Sequence, residues 1–257
     1  MTSWLEVCLA MARRTWTKTL RRPVVLSFSL VQPLLWMTFF GFLFAEYRLP
    51  EGLATERYLD FLAPGVCAMA VLFGASQAGV LWIRDLQTGF LPRLLDTPAS
   101  PWALLAGKLL ADGSRLLLQA GAVLGLALLL GVRLAPSLAG VALGAVALTL
   151  FAVAFASLSS AIALRARTPE TLAAYIHVVN MPLLFTSSAL VPTRQMPNWL
   201  AEISTLNPLT LAVDAWRGAL LDGTVPSWPA QILPLVVLAA LLFLLAIREL
   251  ERVRTCP

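Results

Sequence analysis

The chain has 257 residues, 59% of them hydrophobic and 13% charged, against about 45–50% apolar and about 25% charged in soluble domains. The apolar residues fall in long uninterrupted runs, which excludes a water-soluble fold and makes lipid the natural solvent. The net charge of +5 does not require a nucleic-acid partner, because the cations have a topological explanation given below, and Cys8, Cys67 and Cys256, with no CxxC spacing, suggest neither a disulfide framework nor a zinc site.

Taken in chain order, residues 1–22 predict an N-terminal amphipathic interfacial helix. Leu5, Leu9, Ala12 and Trp16 line one side, while Arg14, Lys18 and Arg21 share the opposite side at i, i+4, i+7. Such a helix lies on the cytoplasmic surface with its cations toward headgroup phosphates or a partner protein. Charge-free runs follow at 23–45, 61–83, 116–132, 134–164, 171–193 and 225–247. Since about 20 residues at about 1.5 Å each cross a hydrocarbon core of about 30 Å, the expectation is an all-α integral membrane protein of six transmembrane helices. These are placed at 23–45, 61–83, 101–132, 134–164, 169–193 and 228–247. The third starts early because Ser100 can cap and Pro101 suits the first helical position. That start puts Lys108, Asp112 and Arg115 on a helical extension protruding from the bilayer. The first run is too long for a signal-peptide core of about 7–15 residues, and Leu43-Phe44-Ala45 lacks a small residue at the minus-three position, so it is read as a retained anchor.

Cation placement sets the orientation. With the N-terminus inside, only Arg48, Arg57, Arg133, Arg194 and Arg217 of the 19 lysines and arginines fall outside, which puts both termini in the cytoplasm. Glu46, Glu51, Glu56 and Asp60 crowd the first external loop.

Two connections are not simple loops. Residues 84–100 mix charge with bulky apolar side chains between turn formers, and a plain connector has no use for Phe90, Leu91, Leu94 and Leu95 in water. They read as a short helix offering an apolar ridge, with Arg93, to a cytoplasmic partner. Residues 194–227 predict an external re-entrant helical hairpin between spans five and six. Pro197 opens one short helix, Asn207-Pro208 caps another that stops at Asp222-Gly223, and Trp199, Trp216 and Trp228 suit the membrane interface. Asp214 and Arg217 are i, i+3 on that second helix, near Glu202, as an internal ion pair or a substrate contact.

The fifth span is the most polar, with a potentially kinking Pro182, and places His177, Asn180 and Ser187 on one face at i, i+3, i+10. Such groups line a substrate pathway or glue helices together. Trp36, Phe40 and Phe44 recur at i, i+4, i+8 and could stack on a drug or sugar, or pack as ordinary lipid-facing or core aromatics.

Some chemistry is missing. Gly107-Lys108 is followed by Leu109, and Trp102 stands where the first glycine of a phosphate loop belongs. There is no HExxH, no GxSxG and no carboxylate inside the charge-free runs. The energy source is therefore expected on another chain. A membrane-embedded enzyme acting on lipids, with His177 as acid or base, is the alternative from another class.

Three places resemble the ABC-2 permease family, especially the branch of the daunorubicin-resistance and nodulation-factor permeases. They are Tyr58-Leu59-Asp60-Phe61-Leu62-Ala63-Pro64-Gly65, then Gly89-Phe90-Leu91-Pro92-Arg93-Leu94-Leu95-Asp96-Thr97-Pro98 with Gly107-Lys108, and the external stretch. That stretch carries Leu190-Val191-Pro192, Met196-Pro197-Asn198-Trp199-Leu200, Asn207-Pro208-Leu209-Thr210 and Val213-Asp214-Ala215-Trp216-Arg217. The resemblance implies a single transmembrane domain over 1–257 with an N-terminal connecting helix and a coupling helix in 84–100. It also implies an exporter of hydrophobic drug-like or lipid-linked and glycan substrates in a bacterial or archaeal cell membrane. Two permease copies, a homodimer, would work with two ATPase subunits; ATP and Mg would be bound there and no cofactor in this chain. Pro92 departs from the family pattern, because the coupling helix would ordinarily continue through it.

Overall fold

The computed structural model describes residues 3–21, 23–47, 49, 55–222 and 228–255. Arg48, Glu51, Gly223, Cys256 and the Trp228 side chain, named above, lie outside what is described. The regular elements of the described residues are helices, with no strand: α1 Trp4–Leu20, α2 Pro23–Leu43, α3 Tyr58–Ser76, α4 Val80–Gln87, α5 Phe90–Leu95, α6 Pro101–Leu129, α7 Leu138–Ala166, α8 Pro169–Phe185, α9 Asn198–Leu206, α10 Pro208–Arg217 and α11 Trp228–Thr255. A 3₁₀ turn, Thr193–Gln195, precedes α9, and a π-helical turn, Gly218–Asp222, continues α10.

Among the described residues, four stretches are long and apolar enough to cross a membrane: Tyr58–Gln87, Pro101–Leu129, Leu138–Ala166 and Pro229–Arg254. The chain is thus a multi-pass membrane protein. The described apolar part of α2 is Leu30–Leu43, and α8 has 17 residues. The α8 helix stops at Phe185, short of the expected 193, because hydroxyls take its last carbonyls: Thr186 Oγ1 donates to Pro182 O and Ser187 Oγ to Leu184 O, each at 2.8 Å.

The α3 helix is the axis of the bundle. Nearly all its residues are buried, and α2, α6, α7 and α10 pack around it. The α11 helix lies along α7, which carries many small residues, the composition that lets backbones approach where lipid supplies no hydrophobic drive. At the N-terminal end of α3, Asp60 is buried and its Oδ1 accepts the Arg133 backbone N–H at 2.9 Å, tying the start of α3 to the α6–α7 connection.

The N-terminal helix departs from its sequence pattern. It begins with a capping box, Ser3 Oγ accepting from Glu6 N at 3.2 Å and Glu6 Oε2 from Ser3 N at 3.0 Å. It then packs across α6 through Cys8, Met11, Ala12 and Thr15, leaving Leu5 and Leu9 exposed. What selects that face is Gly107: the space a Cβ would fill there holds the backbone carbonyl of Cys8. A notch on a distant helix is invisible to periodicity.

Lys108 and Asp112, expected on an extension beyond the bilayer, are covered by other helices. Both are buried in the core, with Nζ 2.6 Å from Asp112 Oδ2 and 5.6 Å from the Trp82 ring centroid. Neither charge could be buried alone, and the i, i+4 spacing lets each neutralise the other.

Candidate functional site

The site at the α1–α4–α5 end is built around one carboxylate. Asp85 is buried on α4, and Arg14 of α1 reaches it with both guanidinium nitrogens, Nη1 to Oδ2 and Nη2 to Oδ1, each at 2.7 Å. Lys18, one turn on, donates to Oδ1 at 2.9 Å. The two cations expected to face headgroups or a partner are therefore turned inward, because a buried carboxylate must be paired. Arg21 remains exposed. The Arg14 guanidinium also stacks over the Phe90 ring, 3.9 Å from its centroid. One arginine thus fixes α1, α4 and the start of α5 to one another.

The α5 helix follows a left-handed turn at Gly89, φ +66°, a conformation that glycine adopts without cost. Pro92 does not split the helix: it lies in the first turn, where a backbone N–H would have no helical acceptor. The ridge expected from the sequence is divided. Leu91 and Leu95 point into the core, while Phe90 and Arg93 are exposed and Leu94 is half-buried. Six residues make fewer than two turns, so neighbours at i and i+4 on one face must anchor the helix while the next pair faces out. Between α1 and α5 an open cleft of about 410 Å³ is lined by Val7, Met11, Phe90, Leu94, Pro98 and Leu104, with Arg14 at its wall.

The fifth-span residues are separated. His177 is exposed; Asn180 is buried, its Nδ2 donating to Ser76 Oγ of α3 at 2.9 Å; Ser187 lies beyond the end of α8 and spends its hydroxyl on the chain. They do not form one polar face, because the helix ends before Ser187. The aromatic recurrence on α2 is a ladder: Trp36 and Phe40 stack at 5.3 Å, Phe40 and Phe44 at 6.2 Å, and Phe44 meets Tyr58 at 4.9 Å. All three α2 rings are half-buried against the core.

On α10, Asp214 and Arg217 form the ion pair, Nη1 to Oδ1 at 2.9 Å. Ser188 Oγ donates to the same carboxylate at 2.7 Å, Arg217 Nη2 donates to Ser188 O at 2.9 Å, and the guanidinium stacks 3.7 Å from the Phe61 ring centroid. Asn207 caps α10 through its Oδ1 and with its Nδ2 holds Leu183 O at 2.7 Å. The segment is thereby bolted to the end of α8 and to α3. Trp216, assigned to the interface, is instead buried, its ring against Gly144 of α7, whereas Trp199 is exposed.

Sequence reasoning missed Asp85, and a signal was present. It is the one carboxylate between Asp60 and Asp96, and it closes the second apolar run while two cations one turn apart on the N-terminal helix need a counter-charge.

The description "ABC-2 type transporter" matches residues 6–221. The chain is 31% identical over 215 residues to ycf38 of Cyanophora paradoxa, described as a transport permease, covering 83% of this chain and 74% of that one. It is 32% identical over 206 residues to the daunorubicin resistance ABC transporter permease protein DrrB1 of Streptomyces coeruleorubidus, covering 80% and 71%. Nodulation protein J of Sinorhizobium fredii is 28% identical over 197 residues, covering 76% and 74%. With a match across most of its length and helices that cross the membrane, this chain belongs to the ABC-2 type transporter family.

Proposed function

We propose that the chain is the transmembrane permease subunit of an ATP-driven exporter, moving a hydrophobic drug-like or lipid-linked or glycan substrate out of the cytoplasm by alternating access. Two copies would associate with two ATPase subunits, which bind ATP and Mg and supply the energy. In this reading α2 and α8 complete six spans, both termini are cytoplasmic, the α9–α10 segment is re-entrant from outside, and the membrane is that of a bacterium or archaeon. The observation that carries it is the surface of α5: Phe90, Arg93 and Leu94 face outward from a short helix whose Leu91 and Leu95 anchor it. A helix held from beneath and apolar above is suited to seat in a partner's groove and return its movement to the bundle. The relatives' names support the transport class.

The division of α5 makes the test specific. Phe90→Ser with Leu94→Glu is expected to abolish copurification with the cognate ATPase, or to cut ATP-driven transport by about 100-fold, consistent with loss of two interface anchors. Melting of the chain itself should shift little. Leu91→Glu should instead prevent accumulation of folded protein, since it buries a lone carboxylate. A normal complex and normal transport in the double variant would sink the assignment.

His177→Ala separates this reading from a lipid-modifying enzyme. Transport is expected to stay within about twofold of the parent, because an exposed side chain in a span contributes little. Loss of all function would favour the enzyme.

A further inference from the structure

The long span Tyr58–Gln87 is interrupted at residues 77–79, and no proline interrupts it. Between α3 and α4 the regular ladder gives way to tighter i→i+3 bonds: Ala78 N to Ala75 O at 3.0 Å, Val80 N to Gln77 O at 3.2 Å and Trp82 N to Gly79 O at 3.0 Å. Backbone groups freed by such a change must find partners elsewhere. Here other helices provide them. The Ser159 hydroxyl of α7 donates to Ser76 O, the last residue of α3, and accepts from Gly79 N, just before α4, at 2.9 Å. Arg115 of α6 donates from Nη2 to Gly74 O at 3.2 Å, placing a cation at the carbonyl end of α3, where the helix dipole favours it. Asn180 of α8 holds the Ser76 side chain.

The two flanking segments differ in their attachments. The α3 helix is buried and packed by four helices. The α4 helix is joined through Asp85 to Arg14 and Lys18 of α1, and through Arg14 to Phe90 of α5. Gly79 keeps the turn narrow, since a Cβ there would meet Ser159 and Ala163 of α7.

We propose that residues 77–79 are a pivot, with Ser159 and Arg115 as the residues that position it, so that α4 and α5 turn against a stationary α3 within the reach that the Asp85 pairs to the α6-seated α1 allow. This rests on the export reading given above. Ser159 carries both sides of the break on one hydroxyl, so a small shift of α7 trades one bond against the other. Motion imposed on the coupling helix is thereby delivered to α6, α7 and α8 at a single turn.

The test uses the complex with its cognate ATPase in nanodiscs, Cys256→Ser as background, and spin-label pairs diluted with unlabelled chain. One pair, Gln87 with Glu170, lies on the cytoplasmic side of the break; the other, Glu56 with Arg133, lies on the far side, and all four positions are exposed. Trapping with ATP and vanadate is expected to change the first distance by several ångströms and leave the second unchanged. Equal changes in both pairs, or none in either while the labelled complex transports, would overturn the pivot. Absence of ATP-driven transport in the unlabelled parent would instead overturn the export reading itself. As a second measurement, Arg115→Met and Ser159→Ala are expected to lower substrate moved per ATP hydrolysed about tenfold, with Arg115→Lys restoring most of the loss. Unchanged coupling in both variants counts against the positioning roles.

Discussion

Replacing Asp85 with alanine is expected to destabilise the chain by about 3 kcal/mol and to free the N-terminal helix from the bundle. The magnitude follows from the geometry. The carboxylate is buried and accepts two Arg14 bonds of 2.7 Å, the bidentate arrangement that is strongest between such groups. Lys18 contributes much less, because its side chain is 40% exposed and solvent screens it. The stacking of Arg14 on Phe90 adds about 0.5–1 kcal/mol that depends on the same guanidinium staying in place. Melting in detergent micelles, with trypsin cleavage at Arg13 and Arg21, measures the effect. Exchange of the pair, Arg14→Asp with Asp85→Arg, should recover part of the stability, while a melting point for Asp85→Ala equal to the parent's would refute the clamp.

Gly107→Ala is expected to be as damaging from a single methyl group. The added carbon falls on the Cys8 carbonyl, a backbone atom that cannot rotate away, so α1 must lift from α6 along its length. Lifting it uncovers Met11 and Ala12 and breaks the Trp16–Ser114 bond. About 3 kcal/mol or more, seen as loss of folded protein in the membrane, is the expected cost. Gly121→Ala on the same helix is the control: nothing lies within 4 Å of its added carbon, and the better helix former should leave stability unchanged or raise it by up to about 1 kcal/mol. Equal behaviour of the two variants would show that the α1–α6 contact is looser than described.

The contrast between those glycines shows what a sequence can and cannot convey. Hydropathy located the long helices, since apolar runs and capping residues such as Ser100-Pro101 and Asn207-Pro208 are local signals. The pairing of Asp214 with Arg217 was legible for the same reason, as both lie on one helix at i, i+3. What one helix presents to another was not. Periodicity put Leu5, Leu9, Ala12 and Trp16 on one side of α1, but it could not show that the notch at Gly107 seats Cys8. It treated Phe90, Leu91, Leu94 and Leu95 as one ridge, though two of the four are spent anchoring so short a helix. The polar residues of α8 could be read as pathway or as interhelix glue, and the sequence could not choose because Ser76, the partner of Asn180, lies far away in the chain. A charge-based reading likewise took Lys108 and Asp112 as markers of water, where each supplies the other's counter-charge.

The seat of α1 on α6 also bears on how the chain is made. The α1 helix leaves the ribosome before α6, and its resting place is encoded roughly a hundred residues later. At about 5–20 residues per second it must wait on the order of 5–20 s. In that interval the face carrying Cys8, Met11 and Ala12 has no protein to lie on, and the membrane surface is the only shelter within reach. The amphipathic character read from its sequence describes this waiting state, and its contacts with α6 describe the finished one: the segment is born first and docked late.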